Sequence, residues 1–154
     1  MSRRPRRLHI LVIDDDPEFH EAISHAHKDL LSLSVITFQN DATLALEMLH
    51  SDTPEQMYQK PVDLVMLDLN MPGMDGHETL AEIRKHPKTK TLPVIVLSNS
   101  DLRDDVRGAY AGGATSYVIK PRTIEQLRQT VLQIDSFWSH SAVLPPESDP
   151  NRAE

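Results

Sequence analysis

Residues 61–76 read PVDLVMLDLNMPGMDG. Val62 to Leu67 is a nearly unbroken apolar run that stops at Asp68. Leu69 to Gly76 follows as a loop rich in turn formers, with Pro72, Gly73, Asp75 and Gly76. A continuous apolar run of this length reads as a strand buried on both faces, the usual state of a strand inside a parallel sheet. A carboxylate where that strand ends lies at the C-terminal edge of the sheet, where open α/β folds bind ligands and do chemistry.

Working outward from this stretch, the chain alternates. Leu8–Ile13 reads as a first strand, and Asp14, Asp15, Asp16 and Pro17 open a helix expected to reach about Leu31, with Phe19, Ile23, Ala26 and Leu30 on one stripe. Val35–Phe38 is a second strand, and Asn40 or Asp41 caps a helix carrying Leu44, Leu46, Met48 and Leu49. Ser51 to Lys60 is a polar connection. After the central strand, a helix is expected from Gly76 to Lys85, stopped by Pro87. Pro93–Leu97 is a fourth strand, and Asp101 is the expected cap of a helix ending at Gly112-Gly113. Ser116–Ile119 is a short fifth strand, and a last helix spans about Thr123 to Trp138. The order βαβαβαβαβα predicts a doubly wound, five-stranded parallel sheet with helices on both faces.

The bulk properties narrow the function. At 154 residues the chain fits one domain. It has no cysteine, which excludes a disulfide framework and a thiolate nucleophile. No apolar run reaches the roughly 20 residues of a membrane span. The net charge of −7 argues against nucleic-acid binding. Residues 1–7 hold four arginines, Arg3, Arg4, Arg6 and Arg7, and read as a solvated tail. The eight histidines form no convincing ligand set.

The strand ends carry the chemistry. Strand one ends in Asp14-Asp15-Asp16, strand three in Asp68, strand four in Ser98 and strand five in Lys120. All lie at one edge of one sheet. Carboxylates meeting there repel unless a cation joins them, and hard oxygen ligands with open positions suit Mg²⁺. The lysine and the hydroxyl supply donors for phosphate oxygens, and a carboxylate can itself accept a phosphoryl group. Residue by residue, this is a Mg²⁺-assisted phosphoryl acceptor.

IDDD at 13–16, MLDLNMPGMDG at 66–76, LSNS at 97–100 and YVIKP at 117–121 resemble the motifs of two-component response regulator receiver domains. Asp68 and Ser98 are 30 residues apart, and Ser98 and Lys120 are 22 apart, both fitting that family. The resemblance covers residue 8 to about 133. It implies a flavodoxin-like (βα)5 sheet in strand order 2-1-3-4-5. It implies that Asp68 is phosphorylated by a sensor histidine kinase, that Asp15 binds Mg²⁺ directly, and that Asp14 acts through water or hydrogen bonds. Asn70 would offer its backbone carbonyl to the metal. Ser98 would bond a phosphate oxygen, Lys120 would pair with it, and Tyr117 would swing inward behind Ser98 as the switch. The Lys120–Pro121 bond would be cis. Asn99 departs from the small residue usual after the hydroxyl, which bears on access to the phosphoryl group.

The implied organisation is a tail at 1–7, a receiver domain at 8–138 and a C-terminal tail at 139–154. No output domain is expected after Trp138, so the signal leaves by surface contacts in the cytoplasm. The protein would catalyse only its own phosphorylation and dephosphorylation. Phe137, Trp138, Val143 and Leu144 extend past the helix, either folded back or forming a homodimer interface with the face of the fourth helix, fifth strand and fifth helix. The second reading is preferred. This tail is similar to those of single-domain regulators serving phytochrome-type kinases. Three rivals are weaker. A haloacid-dehalogenase-type phosphotransferase wants an acid where Asn70 stands. A flavin or nucleotide module wants a glycine-rich loop after strand one. A pseudo-receiver, binding partners without phosphorylation, fits poorly with a complete acid, hydroxyl and lysine set.

Overall fold

The computed structural model describes residues 4–29, 34–51 and 61–146. Five parallel strands form one sheet: β1 (His9–Ile13), β2 (Val35–Gln39), β3 (Leu64–Leu67), β4 (Val94–Ser98) and β5 (Ser116–Ile119). The order across the sheet is β2-β1-β3-β4-β5, as the resemblance implied. The helices are α1 (Pro17–His27), α2 (Ala42–His50), α3 (Gly76–Lys85), α4 (Arg103–Ala111) and α5 (Ile124–Ser136).

Alternation along the strands makes two cores. Side chains two residues apart share a face of a strand. Ile10 and Val12 of β1, with Leu64 and Met66 of β3, pack with Phe19 and Ile23 of α1 and Leu127 and Val131 of α5. Leu11 and Ile13, with Val65 and Leu67, pack on the other face with Ala45 of α2 and Leu80 and Ile83 of α3. Every residue of β1, β3 and β4 is buried, which is why the central strand reads as an unbroken apolar run. Each such side chain contributes roughly 1.5–3 kcal/mol of burial. In α2 the buried residues are Ala42, Ala45 and Leu46, while Leu44 is half exposed.

Caps mark where the helices begin. Asp16, Asp41, Asp75 and Thr123 each accept a hydrogen bond from a free helical N–H, two or three residues on. Asp101, the expected cap of α4, is not one. The cap position falls on Leu102, which has no side-chain cap bond. The nearby Ser100 hydroxyl accepts from the Leu102 N–H at 3.3 Å instead, and the helix starts later. Among the described residues no peptide bond is cis, so Lys120–Pro121 is trans, against the expectation. Trans is the intrinsically favoured isomer by about 0.5–1 kcal/mol, and Lys120 reaches the acidic edge from it.

Contacts hold the described residues just before β1 and just after α5. The Arg6 N–H donates to the Ser139 carbonyl at 2.9 Å, so the arginine-rich segment is joined to the chain after α5. That chain makes a π-helical turn over Phe137–Ser141. Leu144 then enters the core, and Trp138 packs against it. Phe137 and Val143 stay exposed, at 54% and 75%. Folding back therefore accounts for half of the apolar tail. The first helix, expected to reach about Leu31, ends earlier, at His27: the Lys28 and Asp29 N–H groups donate to the His25 and Ala26 carbonyls, closing it in a tight turn. Leu30 and Leu31, and the 52–60 connection, lie outside the described residues.

At the opposite edge of the sheet from the acidic strand ends, Arg84 ties the fold together. Its Nε donates to the Gly113 carbonyl at 2.9 Å, and Nη1 donates to the carbonyls of Thr89, Lys90 and Leu92 at 3.3, 3.2 and 2.7 Å. Gly113 has φ +98°, and a Cβ there would lie 2.9 Å from Arg84 Nε. A lysine has the charge but not the planar fork. Arg84→Lys should lower unfolding free energy by about 1–3 kcal/mol through unsatisfied carbonyls, read as a lower urea midpoint at unchanged m-value.

Candidate functional site

Register brings four strand ends to one edge. Ile13 pairs with Leu67, Leu67 with Val96, and Ser98 with Ile119. The residue following each strand continues the ladder: the Asp68 N–H donates to the Ile13 carbonyl at 2.9 Å, and the Lys120 N–H to the Ser98 carbonyl at 2.8 Å. Asp14, Asp68, Ser98 and Lys120 are all nearly buried, at 1%, 6%, 0% and 8% exposure.

Three of these strand ends share a local device. A side-chain oxygen accepts the backbone N–H two residues on: Asp14 from Asp16 at 2.9 Å, Ser98 from Ser100 at 3.2 Å, and Asp68 from Asn70 at a longer 3.4 Å. Such turns hold a short polar side chain over its own loop. The loop after β3 is then folded down by Gly76, whose N–H donates to the Leu69 carbonyl at 2.9 Å. A Cβ on Gly76 would sit 2.3 Å from the Asp68 carbonyl oxygen and 2.4 Å from Leu69 Cα, so no other residue fits without moving backbone.

The carboxylates converge. Asp14, Asp15 and Asp68 each offer an oxygen, and these oxygens lie within 4.8 Å of one another. Lys120 Nζ donates to Asp14 Oδ2 at 2.6 Å and stands 3.7 Å from Asp68 Oδ1. The same ammonium lies 4.3 Å from the Phe19 ring centroid, a cation–π contact that holds it in the notch. Burial pushes the Asp68 carboxyl up to about 6, and Asp14 and Asp15 push it the same way, while Lys120 and the Asn70 N–H pull it down. One ammonium thus faces three carboxylates, and burial prevails over it at Asp68. That excess of hard oxygen donors suits a divalent cation, with Asp15 reaching solvent where it would enter.

Of the residues singled out in the sequence, Asp14, Asp15, Asp68 and Lys120 form this cluster. Ser98 adjoins it, with the Asn70 side-chain amide donating to its Oγ at 3.4 Å. Tyr117 is not in it. Its hydroxyl donates to the Ser100 carbonyl at 2.8 Å, on the loop behind Ser98. Asp16 and Asp75 each serve as a helix cap. Phe19 and Ser100 were missed as site residues. Ser100 carries a signal in retrospect, a hydroxyl two residues past another at a strand end. Beside the notch a groove of about 520 Å³ opens between α1 and the β5–α5 turn, with Phe19, Ala22, Asn99, Lys120 and Ile124 in its walls. Asn99 thus stands at the approach to the site.

Comparison with known proteins agrees with this architecture. Residues 10–132 match the family model for the response regulator receiver domain. The response regulator Rcp1 of Synechocystis sp. is 34% identical over 140 residues, covering 88% of this chain and 92% of that protein. The crystal structure of the phosphorylated cyanobacterial phytochrome response regulator RcpA superposes with a TM-score of 0.81 at 31% identity, over 90% of this chain and 99% of that one. The Mn²⁺-bound form of Rcp1 gives a TM-score of 0.79 at 31% identity, with the same coverage. With the match spanning most of its length, this chain belongs to the response regulator receiver domain family.

Proposed function

We propose that this protein is a phosphorelay response regulator that takes a phosphoryl group from a histidine kinase on Asp68, with Mg²⁺ as cofactor. The observation that carries this reading is the notch in which three carboxylates lie within 4.8 Å with one lysine 2.6 Å from Asp14. Receiver domains are phosphoacceptors rather than metabolic enzymes, and this chain is read as catalysing only its own modification and its reversal.

Each residue has a task in that reading. An Asp68 oxygen attacks phosphorus, the phosphorus–nitrogen bond of the donor phosphohistidine breaks, and the leaving imidazole takes a proton. Lys120 offsets the charge that develops on the phosphoryl oxygens, and the Ser98 hydroxyl donates to one of them. Asp15, Asp14 and the Asn70 carbonyl, with Asp68 itself, form the metal site. When bound, Mg²⁺ neutralises the carboxylates and polarises the phosphoryl group. The likeness to RcpA, described as a phytochrome response regulator, supports a phytochrome-type kinase as the donor. Among the described residues no helix is long and apolar enough to cross a membrane, in keeping with a cytoplasmic role.

The signal is read as leaving through α4, β5 and α5 into a homodimer. Leu102, Tyr110 and Ile119 are exposed on this side at 65%, 50% and 51%, and Phe137 and Val143 extend the apolar surface. Tyr117 links it to the site as the switch residue.

Incubated with Mg²⁺ and acetyl phosphate, the intact protein should gain one phosphoryl mass, and both Asp68→Asn and EDTA should abolish the gain. Steady turnover of unrelated phosphate esters would instead mark an enzyme. Stability should follow the charge imbalance. Because the folded pKa of Asp68 lies above its ordinary 3.8, the stability linked to this group is full below pH 3.8 and lost as pH rises to about 6. Asp68→Asn should therefore stabilise the metal-free protein at pH 7 by on the order of 2 kcal/mol, seen as a higher urea midpoint. Mg²⁺ should raise the wild-type midpoint more than that of the variant. In light scattering, Phe137→Glu with Val143→Glu should weaken self-association about tenfold or more; a wild-type protein that stays monomeric before and after phosphorylation would remove the dimer.

A further inference from the structure

The loop between β4 and α4 is organised by Ser100. Its N–H donates to Ser98 Oγ at 3.2 Å, and its carbonyl accepts from the Tyr117 hydroxyl at 2.8 Å. Its own hydroxyl donates to Asp105 Oδ2 at 2.5 Å. The other oxygen of Asp105 stands 3.6 Å from His77 Nε2. One residue therefore holds both the hydroxyl read as the phosphoryl ligand and the tyrosine read as the switch. A carboxylate on α4 holds that residue, and a histidine on α3 faces the carboxylate.

We infer that Asp105 is a positioning residue of the switch: by anchoring Ser100 it makes the hydroxyls of Ser98 and Tyr117 move together. A serine side chain turns about one torsion and exchanges partners readily. Bonded to an ionised carboxylate, it is fixed by one of the stronger kinds of hydrogen bond. The peptide groups on either side of Ser100 are then fixed too, and these carry the N–H and the carbonyl that Ser98 and Tyr117 use. If Ser98 turns toward a phosphoryl oxygen, Ser100 loses its acceptor, and the disturbance passes to Tyr117 instead of dispersing in a slack loop. This rests on the proposed roles of Ser98 and Tyr117.

The competing view is that Ser100 and Asp105 merely cap α4, a common local device. A cap sets stability and nothing more. A coupling device sets whether one hydroxyl senses the other, which a double-mutant comparison isolates. The full chain, labelled with 3-fluorotyrosine, has three tyrosines, and Tyr→Phe variants assign their ¹⁹F resonances. In the unmodified protein, Ser98→Ala should displace the Tyr117 resonance. In an Asp105→Leu background the same change should displace it by less than half as much. Asp105→Asn, which keeps an acceptor for the Ser100 hydroxyl, should restore the displacement, although as a cap it is weaker. Ser100→Ala serves as the second uncoupled background if Asp105→Leu does not fold. Equal displacement in all backgrounds would overturn the inference, as would a Tyr117 resonance indifferent to Ser98 in the wild type. The acceptor reading is tested apart from this: no mass gain from acetyl phosphate would overturn it alone, because the resonance is read with no phosphoryl group present.

Discussion

The structure depends on a charge imbalance held in a largely buried notch. Lys120 is the one ammonium facing Asp14, Asp15 and Asp68 among the described residues, and it lies closest to Asp14. A buried ion pair of this sort is weak grounds for stability, because desolvation costs several kcal/mol per ion. Its value lies in poise. The lysine offsets part of the charge at the acidic edge, and the carboxylate oxygens left over are hard donors suited to a cation. The two cores serve this end. Phe19 reaches the ammonium from α1, and the β4–β5 register delivers Lys120 beside Ser98.

Much of this was legible in the sequence because strands buried on both faces write themselves as apolar runs, and their ends are where the runs stop. The boundaries of α3 and β5 fell as expected, since Asp75-Gly76 and Lys120-Pro121 are strong local punctuation. The acidic cluster followed from topology: once five strands are parallel, their last residues share an edge. What escaped the sequence were contacts set by distant packing. The cation–π contact of Phe19 looked like ordinary apolar spacing, as it also is. The start of α4 was misplaced because Ser100 outcompeted Asp101 through a carboxylate five residues on. The isomer at Pro121 has no local signature, and there the family resemblance gave the wrong expectation for this structure.

The apolar tail shows how burial divides neighbouring residues. Phe137 and Trp138 meet edge to face, with centroids 5.3 Å apart, yet Trp138 joins the core and Phe137 faces water. The π-helical turn widens the helix at this point and rotates successive side chains differently from an α-helix. Leu144 is drawn in as Val143 is left out. Ile124, at the start of α5 beside the groove, is exposed as well.

Arg84 gives the molecule a fixed end. By gripping four main-chain carbonyls, it moors the approaches to β4 and β5 to α3 on the side away from the carboxylates. Two of the five strands are thereby pinned where they begin, and the position of their far ends, at Ser98 and Lys120, is left to the loops that follow them.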